Sequence, residues 1–518
     1  MTISKQTARF ALLTMLGVAV TSFSELTSPA FGQDSGFKFH DGSLVEQTSF
    51  AASFMQDSGD DASESESAEE DAEEDEESSE DEQSELESLT SKFEELEEKL
   101  AKMEESIDEV AEEAGDPTIV HSGTGKSTMK MSGRVHADAW GFDHDDNIDQ
   151  IAANNTDEAN RLGFRRLRFG VKGNIQDNMV YKIEMEFANG NDAEFRDAYL
   201  GWSNLAVLQK VLLGNQKRPY GLDHLNSSRY NVFIERPFVI EAFNEDARRL
   251  GLQSYGVSDD EAWNWRYGVF NSRNLQDEGN YVGDHLQLEV ASRLANTIWY
   301  DDVSGGRGYA HWALAGAHSD VTENQDANEG AVAESRFRTR PEARTAGTRW
   351  LDTGRIAGAD YYNLLAVEGV VNVGAVQFVG EYQHNWVERD GFNDVQLNGG
   401  YVYASYFLTG EHVPWDRSSG TIGRVKPFQN FWLVNKCNGC TESGWGAWQI
   451  AARYSVADFS DEDVAGGEAE ALTIGLNWHW NDNSRMQFNY ITGEIDERTD
   501  LVGTGNYDIF GARFMVDF

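Results

Sequence analysis

From about Thr128 onward, apolar residues recur at every second position. Leu472, Ile474, Leu476, Trp478 and Trp480 share one face of an extended chain, with Thr473, Gly475, Asn477 and His479 on the other. Met486, Phe488 and Tyr490 alternate with Gln487 and Asn489. The last residues place Phe510, Ala512, Phe514, Val516 and Phe518 opposite Gly511, Arg513, Met515 and Asp517. Leu286–Ala291, Val376–Tyr382 and Trp448–Tyr454 repeat the pattern, separated by turn-forming clusters such as WNDNSR and SDEDVAGGE. A period of two predicts β-strands with one apolar and one polar face. A soluble sandwich alternates in the same way. Aromatic residues at the ends of the apolar faces and an aromatic carboxyl-terminal residue instead predict a transmembrane β-barrel. In hydrocarbon only a closed barrel satisfies the backbone of such strands. At roughly ten residues per crossing plus a turn and a loop, the remaining chain supports an all-β antiparallel barrel of about 16 strands. A barrel of that width encloses a water-filled lumen. The barrel domain is expected over 119–518.

The chain upstream follows other rules. Leu86, Leu89, Phe93, Leu96, Leu100, Met103, Ile107 and Val110 alternate spacings of three and four, an a/d heptad seam. Lys92 and Lys99 at g precede Glu97 and Glu104 at e by five, which suits interchain pairing in a parallel coil. Residues 83–115 are therefore expected to form a short α-helical coiled coil between copies of the chain. Residues 33–82 are polar, acidic and low in complexity, and cannot bury enough apolar surface to fold. At the start, Lys5 and Arg9 flank the apolar FALLTMLGVAV, and Ala30 and Gly32 suit a cleavage site. Residues 1–32 read as a secretory signal peptide, because that apolar stretch is well short of the roughly 20 residues a spanning helix needs.

Charge narrows the function. The 518 residues carry a formal net charge of −47. From Asp57 to Glu82 there are 16 acidic residues and no basic ones, and 57 acidic against 36 basic residues remain beyond Gly115. A nucleic-acid binder needs a net basic face, so that class is set aside. Cys437 and Cys440, in NKCNGCTES, stand without a second pair or an adjacent His. A local loop disulfide or two inert thiols are the open readings, and no metal or other cofactor is expected. No G-x-S-x-G, H-E-x-x-H or compact Ser/His/Asp arrangement suggests an enzyme.

One strand runs against the acidic balance. In GFRRLRFGVKG, Gly163 to Gly173, lipid-facing Leu167, Phe169 and Val171 put Arg166, Arg168, Gly170 and Lys172 on the lumen side. Arg165 falls on the outer parity, at the interface. On the next strand, Tyr181, Ile183, Met185 and Phe187 face lipid and Lys182, Glu184 and Glu186 point inward. Lipid exposure of Arg or Lys near the midplane costs about 2–4 kcal/mol, which imposes this parity. Cations about 7 Å apart on one wall suit successive anion stations. The same residues could instead brace one another as an Arg–Glu ladder, leaving the lumen nonselective. From Arg218 to Glu261 the chain is long and nonperiodic, and carries Arg229, Arg236, Arg248 and Arg249. Such a connection either narrows the pore from within or lies on the surface.

Several stretches resemble, in order, the phosphate-selective porin O and P family: GFRRLRFGVKGNI, YKIEMEFA, RDAYLGW, LLGNQKRPYGLDHLNSSRY, FIERPFVIEAF, RRLGLQ, RFRTRPEA and GGYVYASYFLTGEHVPWDRSSGTIGRVKPF. The resemblance spans about Met131 to Phe518. It implies a 16-stranded outer-membrane barrel of a Gram-negative-type cell, usually a homotrimer. It also implies an arginine ladder along the lumen and a constriction that passes phosphate-type anions by diffusion. The matching positions are Arg166 and Arg168 for the ladder and Lys217, Arg248 and Arg249 for the constriction. Strand parity adds Lys172 to the ladder, and Arg218 and Arg229 join the candidate constriction from the long connection; Arg338 and Arg340 fall in the RFRTRPEA match. The acidic segment and heptads lie outside the resemblance; they would trimerise the porin from the periplasm or contact the cell wall. A general sugar or cation porin and a structural envelope anchor are the competing readings.

Overall fold

The computed structural model describes Ile119–His121 and residues 127–518, apart from 152–157, 177, 189, 191–192, 246, 277–286, 322–335, 437–439 and 497–502. The expected signal peptide, acidic segment and coiled coil lie outside the described residues, as does Cys437. Nothing is described of the Cys440 side chain.

Sixteen antiparallel strands close into one barrel, and the short strand Ile119–His121 pairs onto the start of the first of them. They are β1 (Thr128–His144), β2 (Arg161–Ile175), β3 (Met179–Glu186), β4 (Glu194–Leu205), β5 (Gln209–Lys217), β6 (Arg248–Val257), β7 (Trp263–Asn271) and β8 (Leu288–Tyr300). After them come β9 (Gly308–Asp320), β10 (Ala359–Val373), β11 (Val376–Arg389), β12 (Val395–Phe407), β13 (Ala447–Asp461), β14 (Val464–Asn481), β15 (Ser484–Asp496) and β16 (Gly505–Asp517). The ladder from Arg134–Asp517 to His144–Tyr507 joins β1 to β16 and closes the barrel, so no long edge is left for aggregation.

Alternation sets the two faces. Leu167, Phe169, Ile183, Leu472, Ile474, Phe510 and Phe514 stand exposed on the outside, where hydrocarbon takes the place of water. Arg166, Glu184, Glu186, Thr473, Asn477 and Arg513 are buried on the inside. Arg165 departs from the simple period. His136 pairs with Arg166 and the adjacent Ala137 with Phe164, so Arg165 is the extra residue of a β-bulge. A bulge re-aims the side chain it carries, and Arg165 turns inward to Glu235 instead of standing at the interface.

The lumen is partly filled by the chain itself, unlike the fully water-filled channel that strand number alone suggests. The 218–247 connection enters it, with two short helices, α1 (Leu222–Leu225) and α2 (Phe238–Phe243). Tyr220, Val232, Phe233, Ile234, Phe238, Val239 and Ile240 are buried there. Their apolar area drives the loop inward, but its backbone still needs partners. Side chains on the inner faces of β13 to β16 supply them. Asn477 donates to the Val232 carbonyl at 2.9 Å, Arg485 to Asn231 at 2.7 Å, Arg513 to Ile234 at 2.6 Å and Arg453 to Glu235 at 3.0 Å. Gly221 opens α1 at φ +81°, where a Cβ would sit 2.5 Å from a carboxylate oxygen of Glu381, so only glycine fits.

Two further segments complete the filling. In 336–358, Trp350 is buried with its ring 5.2 Å from Tyr507 and 5.8 Å from His144. From the other end of the barrel, after β12, the chain turns inward and stacks Trp415 on Tyr309 at 5.4 Å. Its indole donates to Thr297 at 3.1 Å. Ile422 then donates to the side chain of Asn226 in the 218–247 loop at 3.0 Å.

Candidate functional site

Between the 218–247 loop and the wall made by β1 to β6 lies a cavity of about 710 Å³. Among the described residues, twelve arginines and two lysines line it against six carboxylates, a formal surplus of eight positive charges. This surplus stands inside a body that is acidic by about 21 charges.

The wall is built from alternating charges. Arg168 donates to Glu186 at 2.6 Å and to Glu184 at 3.2 Å, and Arg134 to Glu184 at 3.0 Å. Arg248 and Lys182 share Asp197, the former at 2.5 Å. Removing these ions from bulk water is costly unless each is paired, and the pairing fixes where each guanidinium edge faces the cavity. Arg166 differs. It is 4% exposed, its Nη1 lies 3.4 Å from the Nδ1 of His136, and its Nε has no hydrogen-bond partner. Among the described residues, Arg161, Arg166 and Arg344 line the cavity with no carboxylate in ion-pair contact.

The loops contribute the remaining charges. Arg165 grips Glu235 bidentately at 2.7 and 3.1 Å, and Arg513 reaches the same carboxylate at 2.7 Å. Burial raises the pKa of Glu235, but Arg165, Arg513 and Arg166 outweigh it and hold this carboxyl well below the usual range. At Glu241 on α2 burial is the larger influence; it lifts the carboxyl above the usual range and Arg349 only partly offsets it. Glu241 binds Arg340 and, at 3.3 Å, Arg349, tying α2 to the 336–358 segment. Arg338 does the same through Glu245 at 2.9 Å.

The residues singled out from sequence divide into three groups. Arg166, Arg168, Lys217, Arg229 and Arg248 line the cavity. Lys217, however, spends its three N–H donors on the carbonyls of His224, Leu225 and Asn226, at 2.6, 2.9 and 2.9 Å, closing the end of α1. Arg229 is held by Asp517 at 3.0 Å and by the Gly133 carbonyl. Arg218 and Arg249 lie outside the lining: Arg218 is buried against Glu289 at 2.9 Å, and Arg249 donates to Ser272 and Arg248 carbonyls. Lys172 is exposed and away from this cavity, in a row with Lys130 and Lys182 across β1, β2 and β3. Like charges placed directly opposite repel, and Lys182 answers this with its ion pair to Asp197.

Sequence reasoning missed Arg134, Arg161, Arg196, Arg344 and Arg349. Arg134 was within reach, since Arg134, His136 and Asp138 share an inner parity opposite Val135 and Ala137. Arg344 and Arg349 sit in a nonperiodic loop, where no local pattern marks them.

Residues 129–518 match the model of a family described as phosphate-selective porin O and P. The chain belongs to that family. The protein is thus an outer-membrane porin, a channel in fold and family. The porin is 23% identical to Porin O of Pseudomonas aeruginosa over 434 residues, 76% of this chain and 88% of the relative. It is 26% identical to an uncharacterized protein of Caulobacter vibrioides over 422 residues, 76% and 75% of the two chains. Among solved structures, the porin is similar to an anion-selective porin from Comamonas acidovorans at 14% identity and a TM-score of 0.45, covering 75% of this chain and all of that one.

Proposed function

We propose that the porin passes small anions of the phosphate class by diffusion along the β1–β6 wall. The observation that carries this reading is the fourteen-to-six excess of cations over carboxylates among the described residues around the cavity. Arg161, Arg166 and Arg344 act as its anion stations, because their charge is not already spent on a carboxylate. Arg168, Arg134 and Arg248 contribute field and a guanidinium edge while braced by Glu184, Glu186 and Asp197. Lys130, Lys172 and Lys182 receive the anion at the short-turn end. Arginine suits this duty, since its planar fork matches oxyanion oxygens two at a time.

The working unit in this reading is a homotrimer in outer-membrane lipid. Residues 1–32 are removed on export, and the 83–115 coiled coil joins the copies on the periplasmic side, near the cell wall. Zero-current potentials across planar bilayers, in a potassium chloride gradient, test the central claim. An anion-favouring sign is expected; a cation-favouring one would sink it. Deleting residues 83–115 should loosen the trimer on native gels while leaving single-channel conductance unchanged.

A further inference from the structure

The cavity's carboxylates are not equivalent. Most sit behind an arginine as a brace, but Glu235 projects from the 218–247 loop into the passage itself. It lines the cavity with its side chain 13% exposed. Arg165 holds it through two parallel hydrogen bonds, the geometry a guanidinium also offers to a phosphate-type oxyanion. Arg513 adds a third bond at 2.7 Å, while its own remaining donors go to Asp138 and the Ile234 carbonyl. Arg166 stands on the same wall with a buried, unpartnered Nε. Three guanidiniums therefore converge where two carboxylates, Glu235 and Asp138, answer them.

We propose that Glu235 is a tethered counter-anion: it fills part of an anion station made by Arg165, Arg166 and Arg513, and keeps that station shallow. A pore conducts only if each site binds firmly enough to admit the ion and weakly enough to release it. Without Glu235, three guanidiniums answered by Asp138 alone, in a confined, partly desolvated space, would hold a divalent oxyanion too long. With Glu235 in place, a passing anion meets the edge of Arg166 and a field already reduced by one charge. The inference rests on the anion-path reading given above.

The test uses the full-length porin in planar bilayers carrying chloride current, with inorganic phosphate added as the inhibiting probe and nitrate as a monovalent control. Glu235→Gln keeps the shape and removes the charge. The half-inhibiting phosphate concentration is expected to fall about tenfold, with a much smaller change for nitrate, because the lost repulsion scales with the charge of the probe. Glu235→Asp should stay near the parent value. Equal shifts for phosphate and nitrate, or the same shift in both variants, would mean that Glu235 only anchors the loop, and would overturn the inference. If Glu235→Gln does not assemble, Arg166→Gln carries the test: phosphate inhibition must weaken about tenfold, and an unchanged value overturns the station. A parent channel that prefers cations defeats the anion reading itself. An anion-selective parent with an unaltered Glu235→Gln variant defeats only the counter-anion.

Discussion

The two sides of the lumen use the same residue types to opposite ends. Along β8 to β11, Arg293 pairs with Glu368, which also accepts from His311 at 3.1 Å, and Arg218 pairs with Glu289. Glu381 is satisfied without a cation, by Tyr401 at 3.1 Å, Gln383 at 2.7 Å and the Asp223 backbone at 3.1 Å. These side chains are 0–3% exposed where they pair. Along β1 to β6, cations outnumber carboxylates and their edges meet open space. In the proposed anion path, an arginine on the barrel wall serves as a brace or as a station according to two things: whether it is free of a carboxylate partner, and whether the loop opposite leaves room. Arg293 fails both conditions and Arg166 meets both.

The largest effect should come from breaking a brace on the sealed side. Arg293→Ala leaves Glu368 buried without its cation, a loss of about 3–5 kcal/mol. Guanidinium unfolding followed by tryptophan emission should show it, while any assembled channels keep the parent ion preference. Next comes the open side. Replacing Arg161, Arg166 and Arg344 together with Ala should lower the anion-to-cation permeability ratio about tenfold, roughly 1.4 kcal/mol, with little change in unfolding midpoint. If Arg293→Ala altered selectivity, or the triple variant altered only stability, the contrast between the two walls would collapse.

Gly221→Ala probes the seam between them. The added Cβ meets Glu381 and Gln383 at a positive φ, so about 1–3 kcal/mol of strain is expected. Loosening of the 218–247 loop should appear as faster limited proteolysis within it. The smallest effect is that of pH. Glu241, raised by burial, takes up a proton above the ordinary carboxyl value of about 4.3, whereas Glu235 stays charged well below it. Acidification toward that value should thus add one net positive charge to the cavity and raise anion preference by about twofold, under 0.5 kcal/mol. The sign for stability follows the same direction. A raised carboxyl favours the folded state toward acid, and that gain is lost as the pH rises through its folded value. Glu241→Gln should remove the pH response.

Much of the barrel was legible in the chain because alternation is local. Whether Leu167 or Arg168 meets lipid depends on the two-residue repeat of its own strand, and hydrocarbon enforces the answer at a cost of kilocalories per misplaced charge. The same logic brought out the inner positions of Lys182, Glu184 and Glu186. It failed at Arg165 because the bulge that turns it inward is a property of β1 and β2 together, one strand carrying a residue the other lacks.

What each inner arginine does was decided only by the tertiary fold. Arg165 meets its carboxylate 70 residues away and Arg513 meets Asp138 across 375 residues, where β16 closes on β1. Lys217 and Arg218, adjacent in sequence and alike in charge, end in different duties, one holding α1 and the other sealed against Glu289. Away from the bulge at Arg165, local pattern determined which face each strand cation takes, because the pleat acts over two residues. Its partner, and with it the difference between a brace and a station, came from strand closure and from the inward course of the 218–247 and 336–358 segments. Those bring together charges whose distance in sequence says nothing of their distance in space.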